Sequence, residues 1–197
     1  MILLNKKLKI LLITLICIIF LIIVILSTFL IANHLLGKQI IEKVIDTYSE
    51  EKLQKRLENA ATDENSNLAL EIDGETVLGV IRIDKIGFEG LIYEGTSDST
   101  LSKGVGHLES TAYLDGNVGL AAHNTKKFWA KLNKLEKGDT ISYISFLGSK
   151  EYVVDNIQVI NENDMSLLEN TKENKLSLIT CILNNPAKRL CVQASEI

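Results

Sequence analysis

The sequence has 197 residues, a formal charge of −4 and 46% hydrophobic residues, with a mean hydropathy of +0.16. This hydropathy is high for a soluble domain, and its source is local, because residues 10–32 contain no charged side chain. That run of 23 residues exceeds the roughly 20 apolar residues that span a bilayer as a helix. The composition therefore excludes a purely cytosolic globular protein, and the single run excludes a multi-pass channel.

Flanking charge predicts the orientation of this run. Three lysines and no acidic residue precede it, so 18 of the 21 basic residues and all 25 acidic ones lie beyond residue 9. Because positive residues stay on the cytoplasmic side, we expect residues 1–9 to form a cytoplasmic tail, residues 10–32 a single-pass anchor in membrane lipid, and the rest to be extracellular. A cleaved signal peptide is the alternative, but its apolar region has only about 7–15 residues. The acidic exterior argues against nucleic acid as a partner.

Residues 33–68 have the pattern of a stalk. Apolar residues recur every four positions from Leu36 to Tyr48, with charged residues at the other helical angles, which predicts an amphipathic helix. The polar stretch at residues 62–67 lacks periodicity and is typical of a flexible linker.

Residues 69–197 have the size of one domain and an all-β pattern. Short apolar runs are separated by turn residues, which indicates a β-sandwich or a barrel. One segment, residues 126–135, has apolar residues at helical spacing and is predicted as a helix. The predicted strands are residues 77–83, 90–93, 118–122, 140–146, 152–160, 176–182 and 189–194.

Three cysteines are too few for a disulfide-stapled scaffold, and Cys17 lies in the apolar run. Cys181 comes near the end of a strand-like run, His123 ends another, and Arg189 opens a third. An imidazole can support a thiolate, and a guanidinium can stabilise an oxyanion. A small buried hydrophobe is the other interpretation of Cys181, and spacing alone leaves both open.

The local motifs around these residues are more specific. Residues 177–181 are Ser-Leu-Ile-Thr-Cys, Arg189 follows eight positions later, and residues 116–124 are Gly-Asn-Val-Gly-Leu-Ala-Ala-His-Asn. These motifs resemble those of the sortases, membrane-anchored cysteine transpeptidases of Gram-positive bacteria whose signature is Thr-Leu-x-Thr-Cys. The resemblance covers about residues 77–195 and implies a closed eight-stranded β-barrel with one or two short helices. Upstream segments that share it are residues 81–87, 92–96 and 104–109.

The resemblance also implies a mechanism and partners. Cys181 would cleave a Leu-Pro-x-Thr-Gly-like sorting signal of a secreted protein between Thr and Gly and form a thioacyl intermediate. His123 would act as acid and then base, Arg189 would hold the substrate carbonyl, and Thr180 and Leu178 would line the groove. The acyl group would pass to an amine of peptidoglycan or its precursor. No cofactor is expected.

Three further residues or pairs have competing interpretations. His107 is the other candidate base, and its motif position favours a structural or groove-edge role. Glu109 and Asp115 could bind calcium, but two acids are few for an ion that takes 6–8 oxygens, so no metal is expected. If the hairpin tip lies at residues 184–186, Cys181 and Cys191 become cross-strand neighbours that could form a regulatory disulfide; the other interpretation, which we favour, is that Cys191 only packs beneath the active site.

Within the family, class D is favoured over class A by residues 104–107 and by the eight-residue step from Cys181 to Arg189. A class C lid with a second membrane segment is not visible, and residues 161–175 leave room for only a short helix instead of the longer one of class B. Two rival functions remain. One is an anchored β-domain that binds peptides or wall polymers without catalysis; the other is a wall L,D-transpeptidase, whose Ser/His-Gly-Cys surroundings are absent here.

Overall fold

The structure, a computed structural model, describes residues 6–49, 52, 69–72 and 74–197. The predicted linker at residues 62–67 lies outside this described part. The chain divides into two compact units, Met1–Glu42 and Lys43–Ile197.

The apolar run forms most of one long helix, α1 (Lys6–Thr47, 42 residues). Large apolar side chains between positions 10 and 36 are exposed along it. The hydroxyls of Thr14, Ser27 and Thr28 each donate to a carbonyl three residues earlier, so these polar groups are satisfied within the helix, as a lipid environment requires. By length and composition this helix can cross a membrane.

Nine strands and one short α-helix make up the described part of the unit Lys43–Ile197. The helix is α2 (Asp98–Lys103), which begins after the N-cap Ser97. The strands are β1 (Leu70–Ile72), β2 (Glu75–Ile83), β3 (Phe88–Glu94), β4 (Val105–His107), β5 (Asn117–Ala121), β6 (Thr140–Ser145), β7 (Gly148–Asn161), β8 (Lys175–Ile182) and β9 (Asn185–Glu196).

Eight of these strands close into a barrel in the order β2-β3-β4-β5-β8-β9-β7-β6, with β6 pairing back to β2. β1 is an additional short strand on the first residues of β2. At the closure Gly79 faces Ser145 of β6, and a Cβ at Gly79 would lie 2.0 Å from the Ile144 carbonyl oxygen. Only glycine allows so close a backbone approach. The closed eight-stranded barrel that the resemblance implies is therefore confirmed.

The barrel unit includes the end of α1. Val44 and Tyr48 are fully buried, and the Tyr48 hydroxyl donates to the Val77 carbonyl (2.7 Å) and accepts from the Leu70 amide (2.9 Å). Residues that the sequence assigns to a stalk thus pack against β1 and β2, and the compact unit begins well before residue 69.

All seven predicted strands are present, within a few residues of their predicted ends. The predicted helix at residues 126–135 is wrong, because this segment forms turns and a 3-10 turn at Leu132–Lys134. The amides of Thr125 and Trp129 both donate to the His123 carbonyl (2.9 and 3.0 Å), so the backbone closes a compact loop. Its apolar spacing serves the core, since Trp129 and Leu132 are fully buried.

Candidate active site

The site begins with the pairing of β5 and β8, which run parallel. Ala121 at the end of β5 lies opposite Ile179 of β8. Continued for two residues beyond this pair, the same register leads to His123 on one segment and to Cys181 on the other. The segments that carry these two predicted site residues, which are 58 positions apart in the sequence, are brought together in this way.

Three hydrogen bonds fix this junction beyond the last paired residues. The Ala122 amide donates to the Ile179 carbonyl (3.2 Å), and the Thr180 hydroxyl donates to the Ala122 carbonyl (2.7 Å). The Asn124 amide group donates through Nδ2 to the Cys181 carbonyl (2.7 Å). The residues on both sides of His123 are therefore hydrogen-bonded to β8, which limits how far the His123 backbone can move from the strand that carries Cys181.

Arg189 lies on β9, the second strand that pairs with β8. It lies directly opposite Cys181 in the antiparallel β8–β9 pair. Its Nη2 donates to Glu162 Oε2 (3.1 Å), and its Nη1 donates to the carbonyls of Pro186 (2.6 Å) and Lys188 (3.0 Å). One quarter of the side chain is exposed. The guanidinium is thus held at the hairpin turn by these three partners and remains partly accessible from solvent.

Thr180 and Leu178 have a different position from the one the resemblance implies. Leu178 is fully buried in the barrel core, and Thr180 is 2% exposed with its hydroxyl on the Ala122 carbonyl. Both side chains face the barrel interior, because residues two apart on a strand share a face. They support the site from beneath and do not line its surface.

Ser177, which stands where the family has threonine, belongs to a fully paired cluster on the opposite face of β8. Its hydroxyl donates to Asn117 Oδ1 (2.9 Å) and accepts from Gln193 Nε2 (3.1 Å). Asn117 and Gln193 in turn donate to the carbonyl of Leu167, the middle residue of a 3-10 turn at Ser166–Leu168. This cluster joins β5, β8 and β9 four residues before the cysteine. Nothing in the sequence around Asn117 and Gln193 indicated that they meet.

His107 lies in a separate buried cluster. Its Nδ1 is 3.0 Å from Glu94 Oε1, and its Nε2 is 3.0 Å from the Ala112 carbonyl and 3.2 Å from the Thr111 hydroxyl. The ring is fully buried and stacks on Tyr113 at a centroid distance of 4.5 Å. Both ring nitrogens are occupied, so His107 has a structural role in the described fold. The base role of His123 stays a prediction.

The β8–β9 turn is tighter than the sequence suggests. Ile182 pairs with Asn185, which leaves a two-residue turn with Asn184 in the left-handed region (φ 63°), a conformation that asparagine tolerates. A register shift follows between Cys181 and Ile182. The hairpin tip therefore precedes the predicted one at residues 184–186, and the residue facing Cys181 is Arg189.

Cys191 consequently lies opposite Ile179 and not opposite Cys181, so the prediction that the two cysteines are cross-strand neighbours is wrong. Both thiols are free. Cys191 is fully buried, and this burial raises the pKa of its thiol to about 12, because a thiolate loses its hydration there. Cys181 is exposed. Of the two cysteines on β8 and β9, the accessible one is therefore Cys181, the predicted nucleophile.

A pocket of about 300 Å³ opens beside Cys181, a size at the lower end of ligand sites. It lies between the β5–β6 connection, the β8–β9 turn and the ends of β7 and β9. Apart from Cys181, it is lined by Asn124, Trp129, Ala130, Asn133, Val159, Ile182, Leu183 and Leu190. Its walls are therefore largely apolar, with a few polar groups.

One of the two residues considered for calcium already has a cationic partner. Asp115 pairs with Lys150 at 3.2 Å. Among the residues that the structure describes, no group of three or more His, Cys, Asp or Glu side chains is arranged to hold a metal ion.

Cys181 is exposed, Arg189 is its cross-strand partner, and the residues on both sides of His123 are hydrogen-bonded to β8. A thiol, an imidazole and a guanidinium are groups that can perform covalent acyl transfer through cysteine. The comparisons give the family. Residues 81–197 match the Sortase domain family, and the chain belongs to the sortases, which are cysteine transpeptidases.

Individual relatives agree with this assignment. Sortase A of Listeria monocytogenes is 26% identical over 154 residues, which are 71% of this chain and 69% of that protein. Sortase D of Bacillus subtilis is 32% identical over 127 residues, or 60% of this chain and 63% of that protein. The solved structure of a Clostridium perfringens Sortase D5 transpeptidase has a TM-score of 0.64 and 27% identity, covering 82% of this chain and 98% of that one.

Proposed function

We propose that this protein cleaves Leu-Pro-x-Thr-Gly-like sorting signals between Thr and Gly and transfers the released acyl group to an amine of the cell wall. The observation that carries the proposal is the register of β8: Arg189 lies opposite Cys181 on one side, and the β5 register leads to His123 on the other. Transpeptidase activity on sorting signals is what membership of the family implies.

In the first half of the reaction, Cys181 Sγ bonds to the Thr carbonyl carbon and the amide bond to Gly breaks. The thiol proton of Cys181 passes to His123, which gives it to the departing Gly amine. Arg189 donates to the carbonyl oxygen while it carries negative charge. The guanidinium now has the Glu162 carboxylate and two backbone carbonyls as partners, so the oxygen shares or replaces one of them.

In the second half, an amine attacks the thioacyl carbon and gives its proton to His123. The C–S bond breaks, His123 gives this proton to the sulfur, and the new amide leaves with the free thiol of Cys181 restored. Because acid and base are the same imidazole in successive steps, His123 has to stay beside Cys181 throughout. The bonds from Thr180 and Asn124 across the junction support this requirement.

The location of the reaction follows from α1. Its apolar run would anchor the enzyme in the membrane, and the lysines before it would hold the N-terminus in the cytoplasm. The barrel unit would then stand outside, where secreted substrates and wall precursors meet. We assign the enzyme to a class D-like group, which the 32% identity to a Sortase D supports.

A peptide library tests the proposal. The protein in detergent is incubated with peptides that carry Leu-Pro-x-Thr-Gly variants and with triglycine as the amine probe. Wild type is expected to give Thr–triglycine products, and Cys181→Ala none. A Cys181→Ala variant that still forms these products would contradict the proposal. A wild type with a reduced thiol that cleaves no library member would also contradict it and would favour a binding domain.

A further inference from the structure

Two of the residues that line the pocket beside Cys181 carry a buried polar atom without a hydrogen-bond partner. The atoms are Asn124 Oδ1 and Trp129 Nε1. One atom is an acceptor and the other a donor. Within the described residues only one other side-chain atom, the Tyr152 hydroxyl, is in the same state, and Tyr152 does not line the pocket.

Such atoms are unusual in a folded protein. Most buried polar groups are paired, and an unpaired one loses its hydration without compensation, at about 1–3 kcal/mol. The orientation of the Asn124 amide is fixed, since turning it over would place Oδ1 against the Cys181 carbonyl that now accepts from Nδ2 (2.7 Å). The unpaired acceptor is therefore a consequence of how Asn124 holds the cysteine strand.

Asn124 and Trp129 are also hydrogen-bonded to the backbone of the two residues proposed to react, Cys181 and His123. Asn124 donates to the Cys181 carbonyl, and the Trp129 backbone amide donates to the His123 carbonyl (3.0 Å). A ligand that pairs with the two free atoms would therefore stiffen the loop that carries His123. Binding in the pocket and alignment of the thiol and imidazole are linked by these bonds.

We propose that Asn124 Oδ1 and Trp129 Nε1 bind the peptide backbone of a reactant next to the scissile bond. This inference rests on the proposed function. Asn124 accepts from a backbone N–H, Trp129 donates to a backbone carbonyl, and the apolar walls from Val159 and Leu190 contact the peptide's side groups. The two atoms are covered in this conformation, so entry of the peptide displaces part of the loop of residues 124–135.

Two reactants contain such amide groups: the sorting signal and a peptidyl amine acceptor. Trp129 is the only tryptophan in the sequence, so its fluorescence reports on the pocket without background. The protein with the Cys181→Ala substitution is titrated in detergent with a Leu-Pro-x-Thr-Gly peptide and, separately, with triglycine. The reactant that occupies the pocket is expected to shift the Trp129 emission saturably. If neither reactant shifts the emission, the proposal is wrong.

Ester substitution in the peptide then identifies the hydrogen bond. Each backbone amide of the responding peptide, except the scissile one, is replaced in turn by an ester, which removes one N–H donor. In the wild type one position is expected to lower kcat/KM by about three- to tenfold. In Asn124→Ala the same ester has no further effect, because partners of one bond are not additive.

A matched variant and a stability measurement test whether the effects arise without a hydrogen bond to the peptide. Asn133→Ala removes a polar side chain from the same pocket wall and should keep the full ester effect; Trp129→Phe should abolish the emission signal and weaken peptide binding by a similar factor. If thermal unfolding of the single and double variants shows that Asn124 and Trp129 are coupled without peptide, they pair with each other and the proposal is wrong. Additive ester effects at every position also overturn it. Wild-type transfer that persists in these cases leaves the proposed function intact.

Discussion

The two halves of β8 differ in how their polar groups are satisfied. In the first half, Ser177 lies in a closed cluster with Asn117 and Gln193, in which side chains from three strands pair with one another and with a backbone carbonyl. Four residues later the second half reaches Cys181, beside a pocket with an unpaired donor and an unpaired acceptor. The closed cluster fixes the register of β5, β8 and β9, and the open half presents the chemistry. We expect changes at the first to alter stability and changes at the second to alter catalysis.

The largest expected effect is on the transfer rate, and it distinguishes the half-buried His123 from the fully buried His107. His123→Gln should lower the transfer rate by about 10²–10⁴-fold, the contribution of a positioned acid and base, with little change in the thermal midpoint. His107→Gln should lower the thermal midpoint and leave the transfer rate per folded molecule nearly unchanged, since it breaks the contacts to Glu94 and Ala112. Transfer kinetics per folded molecule and thermal unfolding measure both variants. Equal loss of activity per folded molecule in both would contradict the division of roles.

The closed cluster is tested at Ser177. Ser177→Ala leaves Asn117 and Gln193 without their shared partner and should lower the free energy of unfolding by about 1–3 kcal/mol. Activity per folded molecule should change less than about twofold, because the cluster does not touch the reacting groups. Ser177→Thr is the matched control, because it keeps the hydroxyl and should stay near the wild-type stability. A strong loss of kcat in Ser177→Ala with unchanged stability would place this cluster in the catalytic apparatus.

Two buried tyrosines sharpen the same distinction between paired and unpaired groups. Tyr48 has a hydroxyl with a donor and an acceptor partner, whereas the Tyr152 hydroxyl has none among the described residues. Tyr48→Phe should therefore cost about 1 kcal/mol or somewhat more in unfolding free energy, and Tyr152→Phe should be neutral or slightly stabilising. Denaturant unfolding measures both. Equal destabilisation would mean that the end of α1 contributes nothing specific to the barrel.

The smallest expected effect concerns Cys191, which lies on the neighbouring strand β9. Burial raises its thiol pKa from an ordinary value of 9.0 to about 12. Above pH 9 the unfolded protein loses this proton while the folded protein keeps it, so stability falls as pH rises, by about 1 kcal/mol between pH 9 and 10. Cys191→Ala should reduce this alkaline slope. A slope identical to that of the wild type would show that Cys191 does not titrate in this range.

Much of the architecture follows from local sequence patterns. Alternating apolar runs and turn residues indicate the strands, and the uncharged run indicates α1. The motifs at residues 177–181 and 116–124 point to Cys181 and His123 because each motif is local, the first within β8 and the second on β5 and the residues that flank it. The pairing of β5 with β8 brings them together, and that long-range contact was available only through the resemblance to a known family.

Other features depend on contacts that no local pattern carries. Apolar spacing at residues 126–135 indicates a helix, but the two bonds on the His123 carbonyl and the burial of Trp129 favour a compact loop. A hairpin tip at residues 184–186 would place the two cysteines opposite each other. The tight turn at Asn184 shifts the register, so that Cys191 lies opposite Ile179. The roles of Asn124, Asn117 and Gln193 exist only once three strands are assembled.

Peptide mapping of the acylated enzyme tests the central claim most directly. The protein is incubated with a sorting peptide in the absence of an amine acceptor, quenched in acid, digested and analysed by mass spectrometry. The arrangement of His123, Cys181 and Arg189 predicts a thioacyl group that ends at the Thr of the peptide and is attached to Cys181, with Cys17 and Cys191 unmodified. An acyl group on another residue, or peptide cleavage that continues in Cys181→Ala, would contradict the assignment of Cys181 as the nucleophile.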